Sequence, residues 1–295
     1  MDNSRQALFR LHIAILLFGL SGLFGKLLPI DPGWIVLGRT LIGSAILLLV
    51  LTFKGEVRQM FVPRQWPVNM ALGGILSIHW MTFFQAIQVS SVAIGLLAFS
   101  SFPVFVTLLE PVLFKERLRM LDVLTASGVV IGLFVIFPLS SFGSLLGEGV
   151  SGTVQGLAWG IFSAFLFAIL SLANRNRIQK TDAMALTCLQ NIGAVITTAL
   201  IMPKAGVFTM LEYWPEFLTL GILCTTIPLM LFLSSLRYLK AQLVSLVTCL
   251  EPVYGIVLAA LLLSEIPSVR TLAGGVVILG AITVGSLSKE KSQPC

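Results

Sequence analysis

Three ionisable side chains stand inside long apolar runs, where chemistry is costly and therefore informative: Glu251, His79 and Arg39. An ionisable group at the centre of a bilayer costs about 2.5–3.5 kcal/mol on insertion scales, so such a residue generally has a functional reason to be there. Glu251 follows about ten residues of apolar sequence, a depth of about 15 Å at the helical rise. That is the midplane of a hydrocarbon core about 30 Å thick. A carboxylate desolvated there could hold a proton and release it, or fix a neighbouring helix. Thr248 shares its helical face and Tyr254 lies beside it. His79 is the second proton-relay candidate, because imidazole changes charge near neutral pH. It is followed by Trp80 and Phe83. Arg39 lies about six residues inside its run. It could snorkel to the surface or receive a carboxylate through its planar fork. Phe99, Ser100 and Pro103 complete the set: Pro103, and Pro252 beside Glu251, would each free a mid-helix carbonyl for a cavity. Trp80, Phe99 and Tyr254 would give that cavity an apolar, aromatic wall.

The remaining polar residues suggest structural work. Glu110 is expected to face Lys115 and Arg117, and Glu116 and Glu265 to favour the N-terminal ends of the helices that follow them. Gln190 and Asn191 suit either a cavity or packing. Gly152, Gly156 and Gly160, like Gly128 and Gly132, form small-residue stripes that let helices approach, within the chain or across a homodimer seam. Of the four cysteines, Cys188, Cys224, Cys249 and Cys295, none forms a CxxC pair. No metal ligation and no cofactor are expected. Gly19, Gly22 and Gly25 follow no strand, so phosphate binding is rejected. No HExxH, GxSxG or paired carboxylates at one depth support an intramembrane enzyme, and no Walker A motif supports ATP-driven work.

The elements that must position these residues are membrane helices. The 295 residues are 57% hydrophobic and 11% charged, with a mean hydropathy of +0.98. Soluble domains carry about 25% charge. So little charge cannot cover a water-facing surface, and no soluble catalytic or nucleic-acid-binding domain fits. The net charge of +6 sits in short loops, where it signals topology rather than nucleic acid. Ten spans are expected, at 9–29, 33–53, 67–88, 91–114, 120–138, 152–173, 183–203, 215–236, 241–264 and 269–287. Each must be a helix, the open-ended structure that satisfies its own backbone in lipid. The first, from about Leu8 to Leu28, is too long for the apolar core of a signal peptide and is expected to be a permanent span. Fifteen Lys and Arg residues fall on one side and three, Lys26, Lys204 and Arg270, on the other. This bias puts both termini in the cytoplasm and requires an even number of spans.

The chain also repeats itself. A shift of 149 residues puts Met81 on Met230, Phe83 on Phe232, Pro103 on Pro252 and Glu116 on Glu265 without a gap. The same shift puts Phe18 on Phe167 and Lys26 on Arg175. The halves are taken as 1–145 and 146–295. Five spans per half is an odd number, so the second half enters the membrane from the opposite side. The loop charges agree: Lys115, Arg117 and Arg119 follow span 4, while almost no charge follows span 9. The expected fold is an all-α membrane protein of ten transmembrane helices in two inverted five-helix repeats.

Certain of these residues carry a family likeness. Leu17-Phe-Gly-Leu-Ser-Gly-Leu-Phe-Gly-Lys26 opens the chain, Arg39 follows, and Phe102-Pro103-Val104 precedes Lys115-Glu116. The second half supplies Leu250-Glu-Pro-Val253 and Leu263-Ser-Glu265, and both halves hold a Gly-Val-Val-Ile run. Over nearly its whole length the chain resembles the EamA family of the drug/metabolite transporter superfamily. The resemblance implies movement of amino acids or other small metabolites, often outward, through a multi-pass protein of the bacterial inner membrane. Its expected partners are a small-molecule substrate and the lipid bilayer, with no nucleic acid, in a monomer or a homodimer. The second half departs from the pattern of the first at one functional position, with Glu251 where the first half has Phe102. A non-transporting scaffold or sensor fits poorly with a midplane Glu beside one of two matched prolines.

Overall fold

A computed structural model describes residues 3–115, 120–137, 151–202, 212–248 and 250–291. The described residues are helical with short connections, and none is in a strand. The helices are α1 (Asn3–Leu27), α2 (Pro32–Phe53), α3 (Trp66–Val89), α4 (Val92–Phe99), α5 (Phe102–Phe114), α6 (Met120–Ile136), α7 (Gly152–Arg177), α8 (Ala183–Ile201), α9 (Trp214–Gly221), α10 (Ile227–Leu236), α11 (Ala241–Thr248), α12 (Glu251–Leu263) and α13 (Val269–Lys291). A π-helical turn, Ile222–Thr226, joins α9 to α10. Among the described residues seven continuous stretches are long and apolar enough to cross a membrane. Val92–Phe114 and Trp214–Leu236 each count as one, and Val123–Ile136, Glu251–Leu263 and Val269–Val284 are shorter apolar helices.

Helix starts follow local chemistry. The Asp31 carboxylate accepts from Gly33 N–H and Pro32 fills the first helical position of α2. Ser91 accepts from Ile94 N–H at the start of α4, and Asp182 from Met184 and Ala185 N–H at the start of α8. Each satisfies a donor that the helix itself leaves without a partner.

Two expectations about the prolines are corrected. Residues 91–114 do not form one helix with Pro103 at its middle. The chain breaks at Ser100-Ser101 and restarts at Phe102, so Pro103 stands in the first turn of α5, where its missing N–H has no helical partner to lose. In the second half α11 ends at Thr248 and α12 restarts at Glu251, with Pro252 in its first turn. These breaks lie one repeat length apart. So do the ends of α5 and α12, where Lys115 (φ 56°) and Ser264 (φ 55°) both adopt the left-handed conformation.

Packing follows the same symmetry. Helix α1 lies against α10 and α12; its counterpart α7 lies against α3 and against α4 and α5. The pairs α2–α8 and α6–α13, each made of counterparts, also pack together. Both glycine stripes are used in close helix contacts inside the chain. A Cβ on Gly156 would strike Ser90 and the Ala86 carbonyl, and one on Gly132 would strike Ile278 and the Gly274 carbonyl. The main core is a continuous aliphatic and aromatic cluster where α1, α3, α4, α7 and α10 meet.

Candidate functional site

At that meeting point is an internal cavity lined by Phe18, Ser21, Leu76, His79, Trp80, Phe83, Phe99, Phe167, Leu229 and Glu251. Its free space is about 20 Å³, room for one water molecule. Lining residues come from both halves, and two facing pairs, Phe18 with Phe167 and Trp80 with Leu229, are repeat counterparts. The polar lining is not symmetric.

Glu251 stands at the first residue of α12, on the rim of the break, and is 4% exposed. Its position is set by the restart of the helix after Leu250 rather than by a continuous helical face. It makes no ion pair among the described residues, though it lies within electrostatic range of Arg39. His79 is 4% exposed, on α3. Its Nδ1 lies 2.7 Å from Ser163 Oγ and 3.0 Å from the Ser163 carbonyl oxygen, and the Ser163 hydroxyl donates to the His79 carbonyl at 3.0 Å. That clamp holds the ring stacked on Phe167, with centroids 4.8 Å apart, and leaves Nε2 without a protein partner among the described residues. Phe99 lies 5.4 Å from the same ring and 5.6 Å from Phe83.

Arg39 neither snorkels nor lines the cavity. It is 1% exposed. Its Nε donates to Thr225 Oγ1 at 2.7 Å and its Nη2 to the Cys224 carbonyl at 2.8 Å. Its guanidinium carbon lies over the Trp80 ring, 4.1 Å from the centroid, and 5.4 Å from that of Phe84. The π-turn makes this bond set: the Thr225 and Thr226 hydroxyls reach back five residues to the Leu220 and Gly221 carbonyls, and the Cys224 carbonyl is turned toward Arg39. Arg39 thus packs on a lining residue without being one itself.

The other expected residues sit around the cavity rather than on it. Ser100 and Thr248 return their hydroxyls to the Leu96 and Val244 carbonyls. Pro103 is buried in α5, and Tyr254 is half-buried against the core, its Cβ close to Gly19. Gln190 Nε2 donates to Asn174 Oδ1 at 2.6 Å, while both amide atoms of Asn191 lack partners among the described residues. Residue reasoning missed Ser163, Phe167, Phe18, Leu229 and Thr225. The repeat register held a signal for two of them, since it had matched Phe18 to Phe167; nothing in the sequence pointed to Ser163. Among the described residues no three His, Cys, Asp or Glu side chains gather as a metal site would need.

Polar contacts tie the elements together at both ends of the core. Glu110 pairs with Arg175 at 2.7 Å, from the other half, and the Arg175 guanidinium lies over Phe114; Arg117 lies outside the described residues. Glu265 does not serve the helix that follows it. Its Oε1 accepts from Val92 N–H at 2.8 Å, capping α4 of the first half; Glu116 lies outside the described residues. At one end of the core Lys26 Nζ donates to the Gln88 and Ser90 carbonyls at 3.2 and 3.0 Å, and Gln88 Nε2 to the Ile30 carbonyl at 2.8 Å. At the other, Arg237 Nη2 donates to the Ile178 and Thr181 carbonyls at 3.0 and 3.3 Å. Gln88 and Arg237 are 149 residues apart. Each ties the end of its helix to the chain leaving a counterpart helix, α1 or α7.

Comparison with known proteins agrees with this doubled arrangement. The model of the EamA-like transporter family matches residues 6–137 and again 154–287. An uncharacterized transporter, YxxF, of Bacillus subtilis is 24% identical, with 96% of this chain and 90% of that protein covered. An uncharacterized transporter of Archaeoglobus fulgidus is 24% identical over 77% of this chain and 78% of its own length. A solved crystal structure that is 20% identical shares the fold, with a TM-score of 0.68 over 97% of this chain and 99% of its own.

Proposed function

Because this chain belongs to the EamA-like transporter family, we propose that it is a secondary transporter. It moves small metabolites, amino acids and related compounds, outward across a bacterial inner membrane by alternating access. It does so with ten transmembrane helices in two inverted halves, 1–145 and 146–295, with both termini in the cytoplasm. The observation that carries this reading is the small cavity lined by both halves, which holds a carboxylate at the break of a helix. A volume near 20 Å³ is far below the roughly 300–1,000 Å³ of a ligand pocket. Transport therefore requires that the cavity widen toward one side at a time. The Lys26–Gln88 contacts and the Arg237 contacts are the two latches. The charge bias assigns the first to the outer face and the second to the inner face.

Glu251 is the coupling residue. Of the titratable groups near it, His79 lines the same cavity and Arg39 is held over Trp80. Lys26, at the far end of the neighbouring α1, is engaged by carbonyls. If Glu251 is protonated in one access state and ionised in the other, a proton gradient biases the cycle through that difference in affinity. The test is uptake into proteoliposomes holding the purified chain, screened across amino acids, amines and organic acids with and without a pH gradient. Gradient-stimulated accumulation of at least one class is expected. Flux equal to empty liposomes for every class would overturn the reading.

A further inference from the structure

The cavity lining presents one charge and many rings. Of its ten residues, Glu251 is the only one that carries a formal charge with His79 neutral, and Phe18, Trp80, Phe83, Phe99 and Phe167 supply five aromatic side chains beside the imidazole. The nearest cation does not reach this surface. Arg39 is not among the lining residues, and its fork is committed to Thr225 Oγ1 and the Cys224 carbonyl. Trp80 already attracts the Arg39 guanidinium over its ring and is itself part of the cavity lining. The faces of aromatic rings attract cations, and the attraction grows once water is excluded, as in the aromatic cages that recognise ammonium groups. A buried carboxylate with no hydrogen-bond or ion-pair partner among the described residues adds a direct counter-ion. No lining side chain offers the positive fork or ammonium that would receive a substrate carboxylate. The Ser21 hydroxyl, His79 Nε2 and the Trp80 indole N–H are the remaining polar groups of the lining side chains, and all suit a neutral partner.

The geometry points to a substrate recognised through a cationic nitrogen: an amine or ammonium compound with an apolar body, its nitrogen at Glu251 and its body among Phe83, Phe99 and Phe167. This rests on the transport reading and narrows it. Within the range of amino acids and related compounds, the amino group is what the site reads, and the carboxylate is not required. Arg39 is a positioning residue. It holds the Trp80 ring as one wall and reaches the π-turn through the same fork.

Three compounds of nearly one shape separate the possibilities. Phenethylamine carries the cation alone, phenylalanine carries both charges, and 3-phenylpropionate carries the anion alone. Binding to the purified full chain is measured by isothermal titration and by thermal shift in detergent. Phenethylamine should bind at least as tightly as phenylalanine and about ten-fold or more tighter than 3-phenylpropionate. Glu251→Gln should remove that preference. Arg39→Lys is the control for folding and for wall position: it should weaken all three compounds together and leave their order unchanged. Phenylalanine bound about ten-fold tighter than phenethylamine would show that a carboxylate is read and overturn the inference, while leaving a transporter of amino acids intact. Preference for 3-phenylpropionate would do the same in favour of organic acids. Binding of none of the three, in a chain that still exchanges other solutes across liposomes, removes the ammonium reading alone. The same silence in a chain that exchanges nothing removes the transport reading with it.

Discussion

At the scale of single residues, the environment of Glu251 decides what its substitution does. The carboxylate makes no ion pair among the described residues and faces a small cavity, and Arg39, within its electrostatic range, is held by its own hydrogen bonds, so Glu251→Gln removes a buried charge without breaking a direct contact. The chain should fold and insert as before. Its response to a pH gradient should vanish, and the remaining downhill flux, measured at substrate high enough to offset weaker binding, should be independent of pH. Full gradient-driven accumulation by this variant would move coupling to His79, the other titratable lining group. Arg39 behaves in the opposite way. Its fork, its stack on Trp80 and its burial are all used. Lys cannot reproduce the planar stack or the paired donors. Arg39→Lys should cost about 1–3 kcal/mol, the range for hydrogen bonds that involve a charged group, read as a drop of several degrees in the unfolding temperature in detergent. An unchanged unfolding temperature would mean that the guanidinium contacts contribute little.

At the scale of elements, the repeat is visible in how helices stop and restart. Lys115 and Ser264 both end a helix with positive φ and side chains that disfavour it. A left-handed non-glycine residue costs about 1–2 kcal/mol. Lys115→Gly and Ser264→Gly should therefore each stabilise the chain by up to about 1 kcal/mol, offset in part by the freedom glycine adds to the unfolded chain. Equal gains would show that the two ends are energetic counterparts; a loss at either would show that its side chain has a further role there. The expectation of mid-helix prolines failed for a related reason. A proline inside an apolar run signals a break or a kink, and the spacing of apolar residues is the same for both. The break was chosen by packing, since α7 crosses both α4 and α5.

For the whole molecule, the two latches predict which side opens. Gln88→Ala should loosen the outer latch and Arg237→Ala the inner one. A cysteine at Ser21, on the cavity wall, reports the outcome. A membrane-impermeant thiol reagent applied from outside should label it faster in the Gln88→Ala background, and from inside faster in the Arg237→Ala background. The native Cys188 and Cys224 are buried and serve as the background to subtract. Labelling that ignores both substitutions would show that these contacts do not gate. Topology has its own check: reporter fusions at Lys180 and at Arg270 should report opposite faces of the membrane, and agreement between them would break the ten-span arrangement.

The sequence alone determined that this chain is a bundle of apolar helices and that its two halves repeat. It also identified which charged residues lie too deep to be incidental. Hydropathy over twenty residues and the spacing of Met81, Phe83, Pro103 and Lys26 against their counterparts are long-range signals that survive without coordinates. Only the tertiary structure decided which of those residues meet. His79, Trp80, Phe83, Phe99 and Glu251 converge on one cavity, whereas Ser100, Thr248, Pro103 and Tyr254 pack around it. The seat of Arg39 over Trp80 was equally out of reach, because it depends on a π-turn nearly two hundred residues away from Arg39 in the chain. So was the Ser163 clamp on His79, because one serine on an apolar helix looks like any other until its partner's position is known. Contacts between helices depend on rotation and depth. Periodicity constrains these only to a face, and packing against several neighbours selects the one orientation in which each cavity-lining group is turned inward.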